Sequence, residues 1–261
     1  MFKHHAKTIE NLKDKINADP EIKAALICGS IAHGYARKNS DVDVLFIISA
    51  ENYNERKKRG ELTYFNQDLA VKPAEYVDGK YIDLNFMKNV SQKGSEPARF
   101  AFEGAEIIYS EIDNLEELLE KIIIYPKKEK RDKIVRFYAQ FEAWKWYAEE
   151  AIKHNNMYLL NRSVNNFVLF GGRLILAENE TLYPFHKWFL KVLSELENKP
   201  SDLMMIIDQL MSSPDQKSID QFYQKIKEYK DWPQSELRWP NIFMQDTELS
   251  WLDDKTPVAD L

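Results

Sequence analysis

The stretch GSIAHGYARKNSDVDV, residues 29–44, decides the fold expected of this chain. It is preceded by a short apolar run, KAALIC (residues 23–28), which is typical of a buried strand that enters a turn. It leads into DVDVLFII (residues 41–48), whose Val, Ile and Phe content predicts a second strand. We therefore expect a strand, a glycine turn with a short helix, and a further strand in close succession.

The second of these strands carries two acidic residues at alternate positions. Asp41 and Asp43 are two residues apart, so both carboxylates project from the same face of the predicted strand. Like charges held side by side repel each other unless a cation lies between them, and Mg²⁺ favours one or two protein carboxylates together with substrate phosphates. A solvated strand edge is the alternative interpretation of these two residues taken alone.

The turn upstream suits a phosphate group. Gly29 lets the backbone approach a ligand closely, and the start of the following helix offers free N–H groups to an anion. Ser30 adds a hydroxyl donor. Arg37 and Lys38 supply positive charge for a triphosphate, or are solubilising charges on a loop. The turn and the carboxylates together predict a site where metal and phosphate meet.

The spacing of these residues also carries a family resemblance. Gly29-Ser30, three residues, Gly34, five residues and then Ser40-Asp-x-Asp resembles the signature of the DNA polymerase β-like nucleotidyltransferase superfamily. The resemblance implies a two-metal Mg²⁺ site and transfer of a nucleoside monophosphate from ATP or another nucleoside triphosphate. We expect nucleotide contacts from Gly29, Ser30, Gly34, Arg37 and Ser40.

The superfamily places a third carboxylate on a neighbouring strand. Residues 74–87 (AEYVDGKYIDLNFM) predict a β-hairpin that turns at Asp78-Gly79. Asp83 then lies within the second hairpin strand, in an apolar run where a carboxylate needs a partner. Asp68 and Asp78 compete for the role but lie at predicted turns, and an edge-strand Asp83 that faces water is the other interpretation. The predicted catalytic and metal-binding residues are therefore Asp41, Asp43 and Asp83.

The chain changes character near residue 112. Helical patterns alternate with short β-rich runs before it, and almost everything beyond it predicts helix. We predict an α+β protein with a small mixed-sheet nucleotidyltransferase domain (1–120) and an all-α helical-bundle domain (121–261), joined near residues 112–126. Predicted helices of the second domain cover 127–154, 157–177, 183–196, 201–211 and 219–229, followed by an irregular tail from Asp231.

This organisation resembles the antibiotic-modifying branch of the superfamily, which includes kanamycin, streptomycin and lincosamide nucleotidyltransferases. The resemblance implies that the helical domain binds a small acceptor, such as an aminoglycoside or lincosamide, whose hydroxyl receives AMP. TLYPFHKWF (residues 181–189) resembles a segment of uncharacterised bacterial members. Lys187 is our candidate nucleotide contact there. Arg173, which shares a helix face with Arg162 and Asn166, and His186 are further pocket candidates, for which salt bridges and helix-end charges are the alternative. Glu142 and Glu149 are candidate general bases, and a solvated helix face is the alternative for both.

The composition of the chain narrows the classes of binding partner that we expect. A formal net charge of -6 argues against a dedicated nucleic-acid binder. The single cysteine, Cys28, excludes an internal disulfide and a cysteine-based zinc site. The polar N-terminus has no apolar signal region, and no apolar stretch reaches the length of a membrane span. We expect a cytoplasmic protein that binds a nucleoside triphosphate and a small acceptor, with no membrane or nucleic-acid partner; its oligomeric state stays open.

Other functions are compatible with the same motif. One alternative is adenylylation of a protein or RNA acceptor, and another is a non-catalytic, antitoxin-like partner with a nucleotidyltransferase-like fold. A third is nucleotide sensing without turnover. Degenerate members are expected to lose metal carboxylates, and all three predicted positions are occupied here, which favours an active enzyme.

Overall fold

A computed structural model of the chain describes residues 1–233 and 235–253 and divides into two compact units, the first Met1–Ile124 and the second beginning at Tyr125. The strands of the first unit are β1 (Ile22–Cys28), β2 (Val42–Ile48), β3 (Thr63–Asn66), β4 (Val77–Asp83) and β5 (Glu106–Ser110). Its helices are α1 (Lys3–Asn17), α2 (Gly29–Ala32), α3 (Ala50–Arg59), α4 (Leu84–Lys93), α5 (Glu96–Phe100) and α6 (Leu115–Ile122).

The five strands form one mixed sheet in the order β3-β4-β2-β1-β5, which confirms the predicted α+β class. Strands β2 and β4 are parallel, and the other neighbours are antiparallel. Apolar layers cover both faces: Phe46 of β2 packs with Leu12 of α1 on one side, and Ile47 packs with Met87 of α4 on the other. This two-sided burial explains why the central strand is apolar at nearly every position.

The predicted hairpin is wrong, because β4 continues without a break from Val77 to Asp83. Gly79 lies inside the strand, opposite Val44 of β2. A Cβ atom at residue 79 would come within 2.7 Å of Val44 Cγ1 and 2.8 Å of the Val44 carbonyl oxygen. The glycine therefore permits close packing on β2 and does not form a turn.

Asp83 ends β4 and caps the next helix. Its Oδ1 accepts a hydrogen bond from the Phe86 backbone N–H at 2.7 Å, and the residue is only 6% exposed. Helix α4 buries Met87 and Val90, which follow at helical spacing. The apolar run after Asp83 is thus a helix and not the continuation of a strand, and the carboxylate is a helix cap.

The second unit contains helices and connecting loops and no β-strand among its described residues. Its helices are α7 (Lys130–Lys153), α8 (Met157–Glu178), α9 (Phe189–Glu195), α10 (Leu203–Ser212), α11 (Gln216–Tyr229) and α12 (Trp239–Phe243). An aromatic core joins three of them, with Phe141 stacked on Phe167 at 4.6 Å and Phe222 edge-on to Phe167 at 5.0 Å. All six tryptophans of the chain belong to this unit. None of the helices in the described part has the length and hydropathy of a membrane span.

The structure corrects two predictions for this unit, the start of one helix and the irregular tail. Helix α9 begins at Phe189 and not at residue 183, since Pro184 lacks an N–H group and Phe185 has a positive φ of 64°. The tail is more regular than expected: α12 is followed by a π-helical turn and a 3₁₀ turn that ends at Asp253. The remainder of the predicted tail, 254–261, lies outside the described residues.

Candidate active site

Strand register places four side chains in one row across the sheet. Asp43 of β2 lies opposite Cys28 of β1 on one side and opposite Asp78 of β4 on the other. Asp78 in turn lies opposite Phe65 of the edge strand β3. Residues directly opposite each other in neighbouring strands point to the same face of a sheet. Two carboxylates therefore adjoin each other on one face, with a thiol on one side of them and an aromatic ring on the other.

A third carboxylate completes this cluster. Asp41 immediately precedes β2, and one carboxylate oxygen from each of Asp41, Asp43 and Asp78 lies within 4.8 Å of the other two. None of the three residues is fully buried. Three hard oxygen donors at this separation are the ligands that Mg²⁺ favours. The residues present therefore fit the divalent cation that the sequence motif implies.

The structure does not bring Asp83 to this cluster. Asp83 is five residues beyond Asp78 on the same strand, which is about 17 Å along a β-strand. An odd number of residues also places the two side chains on opposite faces. The sequence predicts a turn at Asp78, because Asp-Gly is a common turn dipeptide. The parallel pairing of β2 with β4 places it beside Asp43 instead.

The turn after β1 is in direct contact with the carboxylate cluster. Gly29 has a φ of 62°, and a Cβ atom there would lie 1.9 Å from Asp43 Oδ2. Ser30 is buried, and its Oγ has no hydrogen-bond partner within the part of the chain that the structure describes. A buried hydroxyl without a partner costs free energy, which a phosphate oxygen at this position would recover.

The remaining residues of the motif shape the loop before Asp41. Ser40 Oγ accepts a hydrogen bond from the Arg37 backbone N–H at 2.9 Å, and the Ser40 carbonyl oxygen lies 3.0 Å from His5 Nε2. Gly34 is exposed with a φ of 74°. Ser40 therefore has a structural role in this loop, while nucleotide contacts by Ser40, Gly34 and the exposed Arg37 stay predictions.

A cavity of about 200 Å³ adjoins the cluster. Its lining includes two residues that the sequence analysis missed, Lys80 and His33. Lys80 lies two residues after Asp78 on β4, so alternation along the strand is the signal that would have found it. The His33 ring stacks on Phe100 at 4.3 Å, and burial lowers the pKa of the imidazole. Lys80 contributes the positive charge among these lining side chains.

The negative charge of the carboxylate cluster raises the pKa of neighbouring side chains. The negative charge of Asp41 raises the pKa of the nearby Tyr76 phenol. Burial, assisted by the charge of Asp43, raises the pKa of the Cys28 thiol above its ordinary value. The thiol is therefore protonated and is not a nucleophile in this site.

Arg173, a predicted pocket residue of the helical unit, is part of the core. It is fully buried in α8, with its guanidinium carbon 4.3 Å from the centre of the Phe137 ring and 4.2 Å from that of Tyr183. Such a cation between two ring faces is a stabilising packing arrangement.

The other candidates of the helical unit have local partners. Lys187 Nζ lies 5.1 Å from the centre of the Trp188 ring, and His186 Nδ1 lies 3.1 Å from the Tyr183 hydroxyl. Asn166 Nδ2 donates to the Arg162 carbonyl oxygen at 3.0 Å. Their predicted contacts with nucleotide or acceptor stay predictions.

The two candidate general bases are also paired. Glu142 Oε1 accepts a hydrogen bond from the Tyr223 hydroxyl at 2.8 Å, and Glu149 forms an ion pair with Lys145. Glu142 lines a cavity of about 600 Å³ within the helical unit, together with Tyr138 and Trp239. This larger cavity holds no cluster of metal-ligating side chains among the described residues.

Residues 10–96 match the model of the family described as polymerase beta, nucleotidyltransferase. The crystal structure of a nucleotidyltransferase-like protein from Exiguobacterium sibiricum 255-15 is 13% identical, with a TM-score of 0.46 over 96% of this chain and 87% of that one, a likeness too distant to bear on activity. No curated protein matches the sequence. The matched segment contains the Gly29 turn and all three carboxylates, and it is a nucleotidyltransferase domain of the DNA polymerase β-like superfamily.

Proposed function

We propose that this protein transfers AMP from ATP to a hydroxyl group of a small-molecule acceptor and releases pyrophosphate. The observation that carries the proposal is the convergence of Asp41, Asp43 and Asp78 within 4.8 Å, beside a glycine turn with an unpartnered buried hydroxyl among the described residues. Three carboxylates repel a triphosphate, so a cation has to bind with the nucleotide.

We assign the cation as Mg²⁺, held by these three carboxylates. When bound, it supplies positive charge for the α-phosphate and the departing pyrophosphate. Ser30 Oγ and the backbone N–H groups of the turn bind the terminal phosphates, and Lys80 neutralises part of their charge. The acceptor oxygen forms a bond to the α-phosphorus while the bond to the bridging oxygen breaks. Pyrophosphate takes those electrons, and the hydroxyl proton passes to water.

The acceptor that we propose is a hydroxyl-bearing compound such as an aminoglycoside or lincosamide. Support comes from the sequence resemblance, from the helical second unit and from the net charge of -6, which disfavours an RNA acceptor. We place the reaction in the cytoplasm, in keeping with a single buried thiol.

The test is pyrophosphate release from each of the four ribonucleoside triphosphates with Mg²⁺, against a panel of aminoglycosides, lincosamides and pooled metabolites. The Asp41→Asn/Asp43→Asn double variant is the blank. We expect release that requires both one acceptor and the carboxylates. If nucleotide binds but no pyrophosphate is released with any compound of the panel, the proposed acceptor changes from a small molecule to a protein or RNA. Absence of nucleotide binding would overturn the proposal in favour of an antitoxin-like partner.

A further inference from the structure

An exposed aromatic ring and a half-buried one lie together at the edge of the sheet. Phe65 on β3 is 61% exposed, and its ring centre is 5.0 Å from that of Tyr76 at an angle of 40°. A single exposed apolar residue is ordinary on a protein surface. We call Phe65 and Tyr76 the aromatic pair, and its position relative to the carboxylates is what sets it apart.

Both rings adjoin the carboxylate cluster. Phe65 lies opposite Asp78, one strand spacing or about 4.8 Å away, and on the same face of the sheet. The Tyr76 carbonyl oxygen accepts a hydrogen bond from the Val42 backbone N–H at 3.2 Å, which places Tyr76 beside Asp41. The aromatic pair therefore continues the surface of the site beyond β4, where the sheet ends.

The aromatic pair and the phosphate turn lie on opposite sides of the carboxylates. The strand order is β1, β2, β4, β3, with Gly29 and Ser30 directly after β1. The row from Cys28 to Phe65 spans three strand spacings, or about 14 Å, with Asp43 and Asp78 between its ends. The site thus has a polar end at the turn and an apolar end at Phe65.

The geometry of phosphoryl transfer gives each end a role. Attacking and leaving oxygens lie roughly in line on opposite sides of the α-phosphorus. If pyrophosphate departs toward Gly29 and Ser30, as in the proposed function on which this inference rests, the acceptor hydroxyl arrives from the side of Phe65. We propose that the aromatic pair binds the acceptor by stacking on the face of a ring, sugar or aromatic, next to the reacting hydroxyl.

The experiment uses the intact protein with Mg²⁺ and α,β-methylene-ATP, which cannot release pyrophosphate. Saturation-transfer difference NMR is recorded with methyl α-D-glucopyranoside and with benzyl alcohol, which separate a sugar ring from an aromatic one, and with glycerol as an acyclic control. We expect transfer to the ring protons of at least one ring alcohol and none to glycerol. Phe65→Ala should weaken binding of that alcohol roughly two- to tenfold, and Phe65→Tyr should preserve it.

A matched control removes another exposed phenylalanine of the same unit. Phe86 is 40% exposed on α4, and Phe86→Ala should leave ring binding unchanged. The affinity for the methylene nucleotide should be the same in all three variants. The inference is overturned if the nucleotide binds but neither ring alcohol does, or if ring binding survives in Phe65→Ala. Failure of the nucleotide itself to bind with Mg²⁺ would instead overturn the proposed function, and this inference with it.

Discussion

Gly29 and Asp43 are in such close contact that no other residue fits at position 29. A Cβ atom there would lie 1.9 Å from Asp43 Oδ2 and 2.4 Å from its carboxyl carbon. The φ of 62° independently disfavours a side chain. The turn is thereby held against the carboxylate cluster, so that a phosphate bound by one is within reach of a cation bound by the other.

The first prediction concerns this contact. Gly29→Ala should lower nucleotide transfer at least about 100-fold, because the methyl group displaces the Asp43 carboxylate. Gly60→Ala is the matched control: its φ of 73° imposes similar strain, but no atom lies within 4 Å of the new methyl group. Gly60→Ala should lower the free energy of unfolding by about 1 kcal/mol and leave nucleotide transfer unchanged. Pyrophosphate release and chemical denaturation measure the two effects, and equal activity losses in both variants would argue against a specific contact.

The second prediction distinguishes the two candidates for the third carboxylate. Asp78→Asn should reduce kcat at least about 100-fold while leaving stability unchanged, since it removes one charge from the cluster. Asp83→Asn should keep both activity and stability, because asparagine caps a helix about as well as aspartate. Steady-state rates for the two purified variants decide the matter. The opposite pattern would restore Asp83 as the metal ligand.

The third prediction is a pH dependence of stability. Burial lowers the pKa of His33 below its ordinary 6.5, so the unfolded chain takes up this proton first as the pH falls. Its contribution to stability is complete above about pH 6.5 and is lost on acidification below that value. Hydrogen exchange of residues 22–48 is compared at pH 7.5 and 5.5. The loss of amide protection at the lower pH should be smaller in His33→Gln than in the parent protein. The lowered pKa of His5 is common to both proteins and does not affect the comparison. An identical loss of amide protection in the two proteins would show that His33 is not the cause.

The fourth prediction separates two arginines of α8. Arg173→Ala should lower the free energy of unfolding of the helical unit by about 3 kcal/mol, since it empties a buried position between Phe137 and Tyr183. Arg162→Ala, at an exposed position of the same helix, should change it by less than about 0.5 kcal/mol. Tryptophan fluorescence reports this unit alone, because the first unit contains no tryptophan. Similar denaturation midpoints for the two variants would contradict a core role for Arg173.

The parts of the site that local sequence encodes were predictable. Strand β2 and its acidic pair follow from residue type and alternation within one short segment, and the glycine turn after β1 follows from the end of an apolar run. The turn and both carboxylates lie within the 16 residues from Gly29 to Val44. The comparison with family models agrees with that assignment over residues 10–96.

The third carboxylate depends on pairing between distant segments. Asp78 meets Asp43 only because β4 joins β2 in parallel, and no local pattern encodes that register. The Asp-Gly dipeptide gave a local turn signal, whereas its glycine makes room for Val44 in three dimensions. The cap at Asp83 has a local sequence signal, since Met87 and Val90 follow it at helical spacing, but the alternation of residues 82–86 predicts a strand through the same segment.

The register of β4 also determines whether Asp78 joins the carboxylate cluster. Val77 and Tyr81 pack in the layer with α1, while Asp78 and Lys80 alternate with them toward the cavity. A slip of one residue would turn both charges into that apolar layer and expose the two large side chains. The same free-energy cost that disfavours the misaligned sheet therefore disfavours conformations in which Asp78 does not reach Asp43. The apolar packing that specifies the register of β4 is therefore also what completes the acidic cluster in the folded domain.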